Sequence, residues 1–313
     1  MFKKYDARIQ GYIFAGLASL FMTANFVLSK MILRDVNPET SSVYFFGFGA
    51  VSSFFLLVFT KRLSKVREAK NLWKQIAVLS LFGSVGSVLW FYGIDSIGPS
   101  LTAFLVRFVV VFAVLWGVLF LREKFNRIEA LGMIIAVIGA LFLTYTSENF
   151  AFLGGAIVLA ATFIFSINQL IVKIYIKKID PFVLNHLRVS LVTLILFSYT
   201  FFSGKLETPT KSVLLLSFIA GTLGAAIGIT FFYKALDLAD LSKVNIIRTI
   251  DPFVVVLYAF LFLQEIPTLN QLLGGSIIVF GVIILIMSRK RPKLGGFFNI
   301  FDGVYNGIKK RRV

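Results

Sequence analysis

Long apolar stretches separated by short polar breaks run along almost the whole chain. Runs of spanning length with few internal charges fall at roughly 11–31, 41–60, 75–94, 99–121, 128–145, 152–173, 182–202, 213–233, 242–263 and 269–287. About twenty apolar residues are what a helix needs to cross the hydrocarbon layer of a bilayer, so the pattern predicts ten transmembrane helices. Pro38, Gly98-Pro99, Pro181, Gly204, Pro209 and Pro267 lie between the runs or at their ends, where helix breakers belong. No connection is long enough for a soluble domain. The first run lacks a small-residue cleavage pattern and is followed at once by a second span, so it is expected to be retained as a helix rather than removed as a signal peptide.

Composition narrows the chemistry. Of 313 residues, 58% are hydrophobic and only 15% charged, against roughly 25% charged in soluble domains. There is no Cys and one His, which excludes disulfides, thiolate metal sites and a His-pair zinc site. No Walker A pattern occurs, and no cofactor is expected.

The net charge of +17 would point to nucleic acid in a soluble protein, but its distribution is topological. Loops assigned alternately to two sides put Lys3, Lys4, Arg8, the 61–74 cluster, Arg122, Lys124, Arg127, Lys177, Lys178, Lys234, Lys243 and the basic C-terminus on one side. Arg34, Lys205 and Lys211 fall on the other. The chain is therefore expected in the cell (inner) membrane with both termini in the cytoplasm, basic loops touching anionic lipid headgroups and no nucleic-acid partner. Residues 288–313 carry Phe297, Phe301, Val304, Tyr305 and Ile308 at helical spacing before Lys309-Lys310-Arg311-Arg312, the pattern of an amphipathic helix on the inner leaflet. This assignment leaves Lys30, Arg107, Lys173, Arg188 and Arg248 inside spans or at their ends.

The chain also repeats itself. Gly83, Tyr92 and Arg107 recur in the second half, at one constant offset, as Gly224, Tyr233 and Arg248. Glu123, Gly132 and Gly139 recur at an offset longer by one position as Glu265, Gly274 and Gly281. Asn25, Lys30 and Pro38 recur at an offset longer by one more, as Asn168, Lys173 and Pro181. With five spans per half, the second half enters the membrane in the opposite orientation to the first. That is the inverted-topology design common in secondary transporters. The expected organisation is one repeat over 11–145, a second over 152–287, and the tail.

The segment Phe120-Leu121-Arg122-Glu123-Lys124-Phe125, followed by Gly132 and Ile138-Gly139, resembles the fourth-to-fifth-helix signature of EamA domains in the drug/metabolite transporter superfamily. Pro252, Leu263-Gln264-Glu265, Gly274 and Gly281 are similar to the same signature in the second half. The resemblance spans about residues 14–287 and implies an all-α bundle of ten helices. It also implies a central cavity between the halves, lined mainly by the first, third, fourth, sixth, eighth and ninth. The halves differ where the family pattern has an arginine early in the second helix: the second half has Arg188, the first reads Tyr44-Phe45-Phe46. Pro252 has no counterpart in the first half, where Val110 and Val111 stand.

Arg107 lies about 12 Å from the outer end of its predicted helix, and Arg248 about 9 Å from the inner end of its own. A guanidinium at that depth avoids lipid and points into the bundle, where its planar fork suits a carboxylate or phosphate. The competing reading is an internal ion pair, for which Asp251 stands three residues from Arg248; it is read as a counter-ion or coupling residue. Asn25, Asn168 and Gln169 are candidate hydrogen-bonding groups for a solute, with interhelical bonding as the alternative. Trp90, Tyr92 and Tyr233 are candidate wall residues or interface aromatics. Lys30 and Lys173 are expected to snorkel, and Gly83, Gly86, Gly224 and Gly228 to be packing positions. His186 is expected near the cytoplasmic surface, solvated.

Taken together, the residues favour a secondary transporter of a small anionic or zwitterionic solute such as an amino acid, organic acid or phosphorylated metabolite. A proton-coupled exporter of lipophilic compounds is the alternative, although the first and sixth spans offer Asn25 and Asn168 where it needs a carboxylate. An intramembrane enzyme lacks a nucleophile with a base, or a metal pair, at depth. The sequence leaves open the coupling proton or counter-solute and whether the chain forms a homodimer.

Overall fold

The computed structural model describes residues 2–121, 126–145 and 149–288. Arg122–Phe125, with Glu123, and the tail over 289–313 lie outside them. Among the described residues the chain is helical, without strands: α1 (Phe2–Ile32), α2 (Pro38–Phe59), a 3-10 stretch (Leu63–Leu72), α3 (Trp73–Val106), α4 (Phe108–Leu121), α5 (Arg127–Tyr145), α6 (Asn149–Tyr175) and α7 (Pro181–Phe202). There follow α8 (Lys211–Ala220), a π-helical stretch (Gly221–Gly228), α9 (Ile229–Leu238), α10 (Leu241–Ile247), a 3-10 turn (Arg248–Ile250), α11 (Asp251–Leu263) and α12 (Leu269–Ser288). Large apolar side chains such as Phe55, Leu81, Leu131, Leu194, Phe202, Leu261 and Phe280 face outward, as a lipid-facing surface requires.

Nine helices among the described residues are long and apolar enough to cross a membrane. The difference from the ten expected runs lies at the third and fourth. There one 38-residue helical stretch, Ala69–Val106, covers both the third run and the start of the fourth, and Phe108–Leu121 adds only 14 residues. The stretch is not one straight rod. Gly98 takes φ 77° and ψ 170°, a conformation open to glycine because it has no Cβ, and Pro99 restarts the helix with its fixed φ.

Helix ends are set by local chemistry that the halves share. Asn37 caps α2, its Oδ1 accepting from the Thr40 N–H at 2.7 Å, ahead of Pro38. Asp180, its equivalent in the second half, caps α7 by accepting from the Phe182 N–H at 3.0 Å, ahead of Pro181. Asn126 and Glu129 form a reciprocal capping box at α5, as their equivalents Thr268 and Gln271 do at α12. Lys30 donates to the Asp95 carbonyl at 2.9 Å, and Lys173 to the Leu236 and Ala239 carbonyls at 2.7 and 2.8 Å. Both lysines thus satisfy carbonyls where a helix breaks or ends.

α2 and α7 pack side by side, and the same caps clamp the pair at both ends. At one end the Asn37 Nδ2 donates to the Lys205 carbonyl at 2.8 Å, while the Lys205 ammonium pairs with Glu39, which also accepts from the Tyr92 hydroxyl at 2.8 Å. At the other, Arg62 and Lys65 pair with Asp180, and the Arg62 guanidinium lies 4.4 Å over the Phe182 ring. Arg62 and Lys205 are themselves repeat equivalents, offset from each other as Pro38 is from Pro181. The bond to Glu39 raises the Lys205 pKa above the ordinary lysine value. That contribution is therefore complete at neutral pH and lost only as pH rises through the raised value.

Asn37→Ala and Asp180→Ala are each expected to lower stability by about 1–2 kcal/mol. The two caps stand about 33 Å apart along α2, so the double variant should lose the sum of the two within about 0.5 kcal/mol. Thermal melting of the purified single and double variants checks both values. A strongly non-additive loss would mean that the two clamps are coupled.

α5 and α12 cross antiparallel through glycine. A methyl group at Gly132 would sit 2.8 Å from the Gly281 carbonyl oxygen, and one at Gly139 would sit 2.8 Å from that of Gly274. The backbones meet directly. Behind this crossing, buried Phe104, Leu105, Val111, Ala136, Leu143 and Ile278 form one hydrophobic core. A second lies around Ile76, Leu79, Val172, Leu184 and Tyr233.

Candidate functional site

Between the cores lies a cavity of about 190 Å³. Of the residues singled out in the sequence, Asn25, Trp90, Arg107, Asn168, Gln169, Tyr233 and Arg248 line it. Tyr92 and Asp251 do not: Tyr92 is committed to the Glu39 clamp, and Asp251 lies behind the wall against the two arginines.

Two breaks in helical geometry carry those arginines. Arg107 is the junction between α3 and α4, with i→i−3 bonds running from its own N–H to the Phe104 carbonyl (3.1 Å) and from the Val110 N–H to its carbonyl (3.2 Å). Arg248 opens the 3-10 turn before Pro252. Proline has no N–H, so the carbonyl four residues earlier, that of Arg248, loses its α-helical donor. It is satisfied instead by the Asp251 N–H and by the Arg107 Nη1, the latter at 2.7 Å. One half of the repeat thus supplies the donor for a defect in the other.

Asp251 is 2% exposed and serves both cations. Its Oδ2 lies 3.0 Å from Arg248 Nη2, 3.1 Å from Arg248 Nε and 3.3 Å from Arg107 Nη2. The Arg248 guanidinium also lies 4.6 Å over the Phe232 ring. The i,i+3 pairing read from the sequence is present, with Arg107 as a further partner that only the tertiary packing reveals.

Several polar atoms at the cavity have no hydrogen-bond partner: Asn25 Oδ1, both amide atoms of Asn168, Gln169 Oε1 and Arg107 Nε. The Gln169 Nε2 donates to Asn245 Oδ1 at 3.0 Å, tying α6 to α10. Buried amides left open in this way are groups that a solute can satisfy. The π-helical stretch beside Asn25 loses regular bonding, and Asn185 compensates by donating to the Ala225 carbonyl (2.8 Å) and the Thr230 hydroxyl (2.9 Å). A methyl group at Gly224 would fall 1.5 Å from Asn25 Nδ2. Gly224 therefore makes room for the Asn25 amide.

The cavity also includes residues absent from the candidate set. Arg188 lines it, as do Ser87, Phe26, Phe45, Phe46 and Phe165. α2 and α7 thereby join the helices expected from the resemblance. A signal for Arg188 was available: it is an intramembrane arginine with no Asp or Glu within four residues on either side. His186 is not solvated as expected. It is half-buried against the Phe54 ring, and its Nδ1 lies 2.9 Å from Ser53 Oγ. Among the described residues no group of three or more His, Asp or Glu side chains could hold a metal.

The sequence model of the EamA-like transporter family matches residues 9–145 and again 152–287. A protein of Methanothermobacter thermautotrophicus described as an uncharacterized transporter is 23% identical, with 91% of this chain and 89% of that protein covered. The uncharacterized transporter YoaV of Bacillus subtilis is 25% identical, with 86% and 94% covered. One solved crystal structure superposes with a TM-score of 0.67 at 14% identity over 92% of this chain and 99% of its own, a likeness of fold alone.

Proposed function

This chain belongs to the EamA-like transporter family and is a multi-pass membrane transporter, and from that premise we propose that it carries a small anionic or zwitterionic solute by alternating access. The observation that carries this reading is the charge of the interior. Arg107, Arg188 and Arg248 line the cavity and Asp251 is the one carboxylate paired with any of them among the described residues. A site with excess positive charge and open amides favours an acid group.

In this proposal ten spans form two inverted repeats over 11–145 and 152–287. The matched clamps, capping boxes and glycine contacts support it, because each places residues separated by the repeat offset in equivalent roles. Asn25, Asn168, Gln169, Trp90 and Tyr233 contact the solute, and Asp251 serves as counter-ion to the two arginines. The protein sits in the cell membrane with both termini in the cytoplasm.

Counterflow in proteoliposomes with radiolabelled amino acids, organic acids and sugar phosphates tests the function. Saturable exchange of one acidic or zwitterionic class is expected. Exchange of a lipophilic cation such as ethidium alone would favour the aromatic lining and a drug-export role. Orientation is tested in the same cysteine-free background: a cysteine at Ser64 is expected to resist an impermeant thiol reagent applied to intact cells. Ready modification would reverse the topology.

A further inference from the structure

Two of the three interior guanidiniums account for each other. Arg107 and Arg248 share Asp251, Arg107 also donates to the Arg248 carbonyl, and Arg248 stacks on Phe232. Arg188 is different. Its residue is 6% exposed, its Nε and Nη1 have no hydrogen-bond partner, and among the described residues no carboxylate pairs with it. A buried cation without a counter-charge is costly. The backbone around it is arranged to hold it there. Ser80 donates to the Arg188 carbonyl at 3.3 Å, and the guanidinium lies against α3 at Gly83, where a methyl group would come within 2.9 Å of Nη2.

The first half supplies the contrary chemistry at the equivalent place. Phe45 stands as far before Arg188 as Pro38 stands before Pro181. It therefore holds the equivalent place in the first half, and the repeat is broken here in charge. Phe45 and Phe46 meet edge-on at 4.9 Å, and Phe26 and Trp90 do so at 5.0 Å. All four side chains line the cavity. Asn25 Oδ1, the Asn168 amide, Gln169 Oε1 and Arg107 Nε are further open polar atoms there.

We propose that the cavity is polarised to take an organic acid with a single acid group and an apolar body. The acid is received by the free fork of Arg188, and the body lies against Phe26, Phe45, Phe46 and Trp90. The proposal deepens the anionic-solute reading above and rests on it. One guanidinium without a carboxylate partner sets the number of acid groups, since Asp251 pairs with the other two. The aromatic wall disfavours small dicarboxylates and sugar phosphates, which would bury polar ends against rings without partners.

Binding to the full-length purified chain, followed by tryptophan fluorescence, tests this with 3-phenylpropionate, its neutral amide, propionate and succinate as probes. The phenyl acid is expected to bind at least about tenfold tighter than its amide, a charge-assisted bond being worth roughly that much, and similarly tighter than propionate. Arg188→Gln should erase the preference for acid over amide, Arg188→Lys should retain part of it, and Phe45→Ala should weaken the phenyl acid but not propionate. Equal binding of acid and amide by the unaltered chain overturns the proposal even if Arg188→Gln does not fold. If succinate binds best and counterflow still exchanges acids, the polarised site falls while the anionic-solute reading stands. If no acid binds or exchanges, both fall.

Discussion

Asp251→Asn is expected to destabilise the protein by about 3–5 kcal/mol, the range for removing one partner of a buried ion pair. The substitution keeps the size of the side chain while removing its charge and turning one acceptor oxygen into a donor, so packing is not the cause. Asp251 is buried at 2% exposure with Arg248 at 3.0 Å and Arg107 at 3.3 Å, and without its charge two guanidiniums repel in a medium that screens poorly. Arg107→Ala should also be destabilising. It removes the donor to the Arg248 carbonyl that Pro252 leaves without its helical partner. A double variant, Asp251→Asn with Arg107→Gln, should recover part of the loss, because it removes one of the two guanidiniums left facing each other without a carboxylate. Apparent melting temperatures of the purified variants, with transport assayed in parallel, provide the check. Wild-type melting of Asp251→Asn together with loss of proton-driven uptake would instead make Asp251 the coupling residue.

The triad marks a boundary of what the sequence discloses. Arg248 and Asp251 stand three residues apart on one helical turn, so their pairing is visible in one dimension. Arg107 reaches the same carboxylate from a helix in the other half of the chain, and nothing local announces it. Breakers and most spans were legible because each is a local property: Pro38, Gly98-Pro99 and Pro181 sit at the ends or breaks their backbone chemistry dictates. The cavity residues Asn25, Asn168 and Gln169 were legible as polar exceptions in apolar helices. Tyr92 looked like its repeat partner Tyr233 but faces the Glu39–Lys205 clamp, since a shared position in the repeat does not fix what lies opposite.

Arg188 shows the converse. In the sequence its lack of a counterpart in the first half was a difference between the halves with no role attached. Folded, Arg188 lines the same cavity as Phe45, the residue that holds its equivalent place in the first half. Where two repeated halves line one space, a position at which they differ in charge presents an unsymmetrical solute with two different contacts.

Gly274→Leu is expected to prevent accumulation of folded protein, and Gly274→Ala to cost at least about 1–3 kcal/mol, the usual range for overpacking a dense interior. A Cβ at Gly274 meets the Leu143 backbone, 2.7 Å from its nitrogen and 2.8 Å from its Cα. A side chain in the way could change rotamer. Backbone atoms cannot, so α5 and α12 would have to separate along their crossing. The adjacent Gly275 lies against the Phe104 ring, where a Cβ would come within 2.6 Å, three residues before Arg107. Any separation would therefore reach the arginine junction as well as the core, and residual transport should fall with stability. Gly16 provides the control: a methyl group there meets nothing within 4 Å, and Gly16→Ala should be neutral or slightly stabilising because alanine restricts the unfolded chain. Melting temperatures of the two alanine variants in the same detergent decide the matter, and equal values would mean that the helices do not meet backbone to backbone at Gly274.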